Sequence, residues 1–198
     1  MLRAIKNRLR RFRREDEGSI VAETVIMFPT LFAAVLATFV FFDAFRNQAI
    51  NLKAAYTISD AMSREDRLIT NTMMNNLWMV HRFLTDSPSL TELRISVIQY
   101  DMDADEVMVV WSRQKGGSGN YDWANLSDIG LTQAQIPAMP HLETLIVVQT
   151  SVDYEPNFSI GLEGFSFDNV VFTRPRWAPQ LCYSHNGTQA GRVCPIQS

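Results

Sequence analysis

The stretch EGSIVAETVIMFPTLFAAVLATFVFFDAF, residues Glu17–Phe45, decides the architecture of this chain. It contains the membrane run, residues 19–42, which has 24 residues and a single charge, Glu23. About 20 apolar residues in a helix span a hydrocarbon core of about 30 Å, so the run is long enough to cross a membrane. It is longer than the apolar region of a cleaved secretory signal, and no Ala-x-Ala site follows it. The run therefore predicts a retained transmembrane helix.

The helical pattern continues beyond the membrane run. Pro29 lies inside the run and is expected to kink or loosen it, because proline lacks the N–H donor. After the run, apolar residues recur at spacings of four, three and four, with polar residues between them. The apolar positions are Phe45, Ala49, Leu52 and Tyr56, and the polar ones are Arg46, Asn47 and Asn51. We expect one helix from Ser19 to about Met62, roughly 65 Å long, whose second half is an amphipathic stalk.

Charge is distributed unevenly on the two sides of the membrane run. Seven cations and three anions precede Gly18, whereas the residues after Phe42 contain eleven Lys and Arg against seventeen Asp and Glu. The positive-inside rule places such a basic leader in the cytoplasm and the acidic remainder outside. A nucleic-acid-binding arm is the other interpretation of a basic run. It is disfavoured here because the leader abuts a membrane segment and the acidic body repels phosphate.

Glu23 is the charge that the membrane run has to accommodate. A charged side chain in the membrane costs at least about 2.5–3.5 kcal/mol, so it usually has a partner. If the chain were cut between Gly18 and Ser19, Ser19 would gain an amino group with which the Glu23 of a neighbouring subunit could pair. Such a pair would fix the axial register of adjacent helices, because misalignment leaves both charges buried and unpaired. Two alternatives remain open: the carboxylate reaches the interface, or it is protonated.

The remaining chain predicts a small α+β head. A second helix is expected from Ile69 to Phe83, with one face formed by Met73, Leu77, Val80 and Leu84. Four strands are expected at residues 92–100, 106–113, 145–154 and 167–176, and Val107, Val109 and Trp111 should share a face of the second. The turn DMDADE joins the first two strands, and a short helical turn is expected near residues 132–136. With the helix packed on one face of an antiparallel sheet, the predicted parts are residues 1–18, 19–62 and 63–198.

The chain contains two cysteines, Cys182 and Cys194. They flank a segment with the turn-forming pair Asn186-Gly187. In a body placed outside the cytoplasm this arrangement predicts a disulfide. Two free buried thiols are the alternative.

The sequence offers little for catalysis or metal binding. The three histidines, His81, His141 and His185, lie far apart, and no pair has the spacing of helical metal ligands. DMDADE begins like a calcium loop, but Glu106 stands where that loop needs glycine. We expect no catalytic residue, no cofactor and no metal ion, and neither a small-molecule substrate nor a nucleic-acid partner.

The N-terminal stretch RRFRREDEGSIVAETVIMFPTLFAAVLATFVFF resembles that of TadE/TadG-like proteins, minor pilin-like components of tight-adherence (Flp-type) pilus systems. The matching positions are Gly18, Val21, Ala22, Glu23 and Pro29. The stretches AYTISDAMSRE, LIVVQTSVDYEP and RPRWAPQLCYS resemble the later part of such proteins, so the likeness extends over most of the chain. Major Flp pilins have a tyrosine after the glutamate, whereas this chain has Thr24, which agrees with a minor component.

The resemblance implies a single-pass protein of the bacterial inner membrane that takes part in assembling adhesive pili. Its N-terminus would be cytoplasmic and its head periplasmic, or exposed in an extracellular pilus. Gly18 and Ser19 would be the processing site of a prepilin peptidase, and the partners would be other pilus subunits, assembly-platform proteins and membrane lipid. Two other functions remain open. One is a single-pass periplasmic scaffold or binding protein outside any filament, and the other is an anchored enzyme, which would need a cleft of convergent polar groups.

Overall fold

The computed structural model describes residues 17–86, 91–117, 125–158, 163–177 and 181–196. Three predicted features lie wholly or partly outside these ranges: the basic leader, the segment DSPS after the second helix, and the Gly-rich loop QKGGSGN. The chain divides into two compact units. The first contains residues up to Ala44 together with Pro156–Glu163, and the second contains Phe45–Glu155 and Gly164–Ser198.

The long N-terminal helix is confirmed. Helix α1 spans Glu17–Ser63, 47 residues, and continues through Pro29 without interruption. At its end the Ser63 hydroxyl donates to the carbonyl of Asp60, and the N–H of Arg64 donates to Ala61 three residues back. These tightened bonds satisfy carbonyls that the last helical turn leaves without partners.

The second helix, α2, spans Asn71–Thr85, so its predicted start at Ile69 is wrong. Ile69–Thr70 instead forms a short strand, β1, which pairs in parallel with β6, Tyr183–Ser184. The Thr70 side chain then caps α2 by accepting from the N–H of Met73 at 3.2 Å. The tertiary pairing with a distant strand, together with this cap, moves the helix start by two residues.

The buried face of α2 also differs from the prediction. Met73 and Leu77 pack against the core, but Val80 and Leu84 are exposed. The fully buried positions are Met74, His81 and Thr85. Two of these are polar, and each has a hydrogen bond that permits its burial. A hydropathy pattern could not show those bonds, so the predicted face was wrong by part of a turn.

A four-stranded antiparallel sheet follows, as predicted. Its strands are β2 Thr91–Asp101, β3 Glu106–Lys115, β4 Thr144–Tyr154 and β5 Phe165–Thr173. They lie in the order β3-β2-β4-β5, so β4 is an interior strand. The DMDADE segment forms the β2–β3 turn, and a 3-10 turn spans Gln133–Gln135. The last strand stops at Thr173, three residues before its predicted end.

Both faces of the sheet are covered. On one face, strand residues such as Ile95 and Val97 form a core with Ile58 and Met62 of α1 and with Met74 of α2. On the other face, a second core contains two residues of the β3–β4 connection. These are Ile129 and Leu131, which pack with Ile98, Val107, Leu145 and Val147 of the strands. The described part of this connection, which contains no long helix, therefore acts as a third layer.

A β-bulge changes the pattern of β3. Val97 pairs with Trp111, whereas the next residue of β2 pairs with Val109. The extra residue, Val110, shifts the alternation of side chains by one position. Val107 and Val109 consequently pack in the second core, and Trp111 packs in the first. The prediction that these three share a face is wrong, because a period of two holds only where the ladder is regular.

The second half of α1 lies beside β5. The Asn51 side-chain amide donates to the carbonyl of Phe167 at 2.9 Å, and the hydroxyls of Ser59 and Thr173 are hydrogen-bonded. Small residues, Ala54 and Ala55, fill the buried face between these contacts. The predicted assignment of the apolar and polar faces of the stalk is therefore wrong. Asn51, which was expected on the polar side, is only 1% exposed, whereas the predicted apolar face is turned outward.

The disulfide between Cys182 and Cys194 is confirmed. It links the strand segment that carries Tyr183 to the segment around Val193, and those two residues exchange backbone hydrogen bonds of 2.8 Å. The carbonyl of the preceding Leu181 accepts from the buried indole N–H of Trp111 at 2.7 Å. The disulfide thus holds the C-terminal hairpin against the first core.

Replacing both cysteines with serine is expected to lower the free energy of unfolding by about 3 kcal/mol, because the loop between them gains freedom in the unfolded chain. The measurement is guanidinium unfolding of the detergent-solubilised chain, followed by tryptophan fluorescence. Ser127→Ala, a substitution in the β3–β4 connection, serves as the control. Equal stability of the double-serine variant and the parent would contradict the structural role of the disulfide.

Candidate functional surface

The membrane run is an exposed apolar helix surface. Most of its large side chains, including Val21, Phe28 and Leu31, are more than half exposed, whereas Val40 is buried. Among the described residues, α1 is the one helix long and apolar enough to span a membrane. An apolar surface of this size needs lipid or another protein to cover it. By length and composition the run could cross a bilayer once.

The polar residues of the membrane run fall into two kinds. Three threonine hydroxyls donate to the carbonyl four residues earlier at 2.8–3.2 Å, which satisfies them inside the helix; they are Thr24, Thr30 and Thr38. Glu23 is exposed, and within the described residues its carboxylate has no hydrogen-bond or ion-pair partner. A partner for this charge would therefore have to come from outside the described part of the chain.

The other predicted residues of the run lie in helical backbone. Gly18 and Ser19 occupy the first turn of α1, so cleavage between them would require that turn to unwind. The ends of helices open most readily, which makes the first turn accessible to such opening. Pro29 leaves the carbonyl of Val25 without its usual N–H partner. The kink expected at Pro29 stays a prediction.

The stalk has an exposed apolar ridge, defined as Phe45, Leu52 and Tyr56. Phe45 is 68% and Tyr56 58% exposed. The three residues are spaced by seven and four, so they lie along one side of the helix. Two exposed cations, Arg46 and Lys53, flank the ridge with the same spacing of seven. This ridge is the surface that the sequence predicted as apolar, but it faces away from the core of the second unit.

A buried polar junction joins α1, α2 and β5. The Asn51 amide nitrogen donates to the carbonyl of Phe167, so its oxygen is left to accept. That oxygen lies 3.0 Å from Nε2 of His81, which is therefore the protonated nitrogen of the ring. His81 is fully buried, and its Nδ1 has no partner. Sequence reasoning missed this junction, since Asn51 and His81 are thirty residues apart and neither lies in a recognisable motif.

The junction disfavours a charged histidine. Burial lowers the pKa of His81 from 6.5 to about 4. In the unfolded chain the ring would take up a proton near its ordinary pKa. The folded chain therefore holds fewer protons than the unfolded chain between about pH 6.5 and 4, and stability must fall as the pH drops through this window.

One cluster in the described residues has the composition of a cation site. Candidate ligand atoms of Asp101, Asp103 and His141 lie within 4.8 Å of one another. However, Nδ1 of His141 accepts from the N–H of Met102 at 3.0 Å, which places the proton of the neutral ring on Nε2. Histidine ligands normally donate their second nitrogen to an acceptor, so this arrangement is the reverse of a metal-binding one. The cluster is better explained as the polar end of the β2–β3 hairpin.

Over the sheet, a cavity of about 330 Å³ contains polar side chains that bind one another. The Arg94 guanidinium donates to the oxygen of Gln114 at 2.6 Å and to the carbonyl of Ile129 at 3.3 Å, while Gln114 donates to Glu92 at 2.9 Å. Burial lowers the pKa of Arg94, and the Glu92 carboxylate opposes that change. The network attaches the β3–β4 connection to the sheet, which is a structural use of these groups.

Comparison with known proteins gives no relative. No protein-family model, no curated protein and no solved structure matches this chain. Class and function must therefore be argued from the residues themselves. The structure defines an α+β protein with a long apolar N-terminal helix that could anchor it in a membrane.

The junction yields a pH prediction. Between pH 6.5 and 4 the free energy of unfolding should fall by about 3 kcal/mol through His81, because each pKa unit corresponds to about 1.4 kcal/mol. His81→Gln should remove this part of the pH dependence, since glutamine has no group that titrates there. Guanidinium unfolding at several pH values measures this pH dependence of the free energy of unfolding. The matched control is His185→Gln at an exposed position. An unchanged pH profile in His81→Gln would contradict the assignment.

Proposed function

We propose that this protein is a membrane-anchored, minor pilin-like subunit that takes part in assembling a tight-adherence (Flp-type) pilus. It acts by helix packing and by protein–protein contacts of its head, without catalysis. The observation on which the proposal depends is the membrane run with its one carboxylate, Glu23, five residues after Gly18. Most of the run is exposed, and the same helix continues as the stalk, which packs on an α+β unit.

Glu23 supports assembly because its charge lacks a partner in the described chain. A carboxylate near the start of a membrane helix is costly unless another charge meets it. The amino group that cleavage creates at Ser19 would supply that charge from a neighbouring subunit. Pairing of this kind fixes the axial register of two apolar helices, which apolar packing alone does not specify.

The exposed ridge of the stalk supports helix packing beyond the bilayer. Phe45, Leu52 and Tyr56 present apolar surface on the side of α1 that the second unit leaves open. Spacings of seven and four are those of a helix seam. Neighbouring subunits anchored in the same membrane would bring parallel helices to this ridge.

Charge and cysteine chemistry support the orientation. The basic leader agrees with a cytoplasmic N-terminus under the positive-inside rule. A disulfide between Cys182 and Cys194 agrees with a head in an oxidising compartment such as the periplasm. A single-pass periplasmic scaffold that never enters a filament would have both features. Measurements of processing and of assembly therefore have to distinguish the pilus subunit from the scaffold.

Processing is tested by the mass of the mature protein. We expect membrane-extracted protein from its native host to begin at Ser19, because the peptidase would cut after Gly18. Intact-mass spectrometry measures this. The control is Gly18→Val, which should keep the leader, since a bulky residue replaces the glycine at the cut. A mature protein that still begins at Met1 would favour the scaffold over the pilus subunit.

The register role of Glu23 is tested by Glu23→Gln. We expect membrane insertion to be kept and the assembled fraction to fall about tenfold or more, because a hydrogen-bonded charge contributes about 1.5–3 kcal/mol and 1.4 kcal/mol is a factor of ten. Carbonate extraction measures insertion, and subunit recovered in sheared pili measures assembly. Glu106→Gln makes the same chemical change at an exposed strand position and should assemble normally. Normal assembly of Glu23→Gln would remove the register role.

A further inference from the structure

The hairpin closed by the disulfide contains the single Asn-Gly pair of the chain, Asn186-Gly187. Residues 185–189 bend at the surface without forming a helix or a strand, and both members of the pair are exposed. At the base of the hairpin, Tyr183 and Val193 exchange backbone hydrogen bonds of 2.8 Å. The pair therefore lies at the exposed tip of a loop whose two ends are fixed.

The polar groups of this pair are not engaged elsewhere in the fold. Within the described residues, neither the side-chain amide of Asn186 nor the N–H of Gly187 has a hydrogen-bond partner. The hydroxyl of Ser184, by contrast, donates to the carbonyl of Thr188 at 2.8 Å across the same bend. The amide carbon of Asn186 and the nitrogen of Gly187 can therefore approach each other without breaking a hydrogen bond of the fold.

Glycine at position 187 permits both the bend and this approach. Its φ is +70°, in the left-handed region that glycine adopts without steric cost. Because glycine has no Cβ, the carbon beside its nitrogen has no substituent that would hinder the side chain of Asn186. Two other exposed asparagines, Asn125 and Asn157, are followed by the bulky residues Leu126 and Phe158 and lack this access.

The start of α2 lies beside the same glycine. A methyl group placed on Gly187 would be 3.6 Å from the methyl carbon of Thr70, the residue that caps α2. The N–H groups in the first turn of a helix carry partial positive charge, which stabilises negative charge nearby. An amide nitrogen that attacks as an anion, and a carboxylate formed from the asparagine, would both be favoured in these surroundings.

We propose that Asn186 is a site of spontaneous deamidation and backbone isomerisation in the folded protein. The Gly187 nitrogen loses its proton to hydroxide and attacks Cγ of Asn186. The N–Cγ bond forms, the Cγ–Nδ2 bond breaks, and Nδ2 leaves as ammonia, which gives a five-membered succinimide. Water then opens the ring. Cleavage at Cγ gives aspartate, and cleavage at the main-chain carbonyl carbon gives isoaspartate, so no oxidant or reductant is needed.

The modification changes the charge of the hairpin without removing a contact. A neutral amide becomes a carboxylate, so the formal net charge goes from −3 to −3 − 1 = −4. The Asn186 side chain makes no hydrogen bond in the described chain, and the disulfide and the Tyr183–Val193 bonds hold the base of the loop. We therefore expect the modified chain to stay folded. The proposal is independent of the membrane anchor and of the pilus function.

The test is incubation of the purified full chain in detergent at mildly alkaline pH, followed by peptide mapping. Enzymatic methylation of the isoaspartate carboxylate measures the isomerised product at each position. We expect isoaspartate to form at Asn186 about tenfold faster than at Asn125 or Asn157, since a barrier lower by about 1.4 kcal/mol gives that factor. The rate should fall at mildly acidic pH, because the attacking nitrogen has to lose its proton.

Two variants and one unfolded sample complete the test. Asn186→Gln should abolish the main isoaspartate signal, because glutamine would have to form a six-membered ring, whereas Asn157→Gln should leave that signal unchanged. Thermal unfolding that matches the parent confirms that each variant is folded. Isoaspartate at 186 in the reduced, guanidinium-unfolded chain but not in the folded chain would overturn the proposal, because the native hairpin would then be protective. Aspartate without isoaspartate would overturn it in favour of direct hydrolysis of the side-chain amide.

Discussion

The structure depends on the burial of one narrow face of α1 against β5 and the first core. Ile58 and Met62 supply the apolar area, while Ala54 and Ala55 allow the helix to approach the sheet closely. Removing such side chains from water is the main favourable term in folding. The opposite side of the helix, including the ridge of Phe45, Leu52 and Tyr56, is left exposed because a helix can face one sheet with one side only.

The polar contacts along this interface fix the position of the helix more than they add to its stability. Asn51, His81 and the Phe167 carbonyl form a chain of hydrogen bonds in which Asn51 and His81 are buried. A buried polar group without a partner costs about 1–3 kcal/mol, so any rotation or shift of α1 that breaks the chain is penalised. The junction thereby sets which residues of the stalk face outward, among them Phe45, Leu52 and Tyr56.

The membrane run obeys a different constraint from the rest of α1. Most of its large side chains are exposed, although Val40 is buried, and its threonine hydroxyls are satisfied within the helix. By length and composition such a segment could lie in lipid, where backbone polar groups have to be satisfied within the helix. Glu23 is the exception, and the proposal that it pairs with a neighbour follows from the cost of leaving it alone.

The sequence by itself determined the features that follow from the composition and residue pattern of a single segment. A run of 24 residues with one charge predicted the apolar helix, four segments with alternating or continuous apolar residues predicted the sheet, and two cysteines around a turn predicted the disulfide. Tertiary structure decided the rotation of each helix, the bulge at Val110 and the partners of Asn51 and His81. These depend on hydrogen bonds between residues far apart in the chain, which can bury a polar side chain and expose an apolar one. No periodicity within a single segment contains that information, because the competing partner lies in another segment.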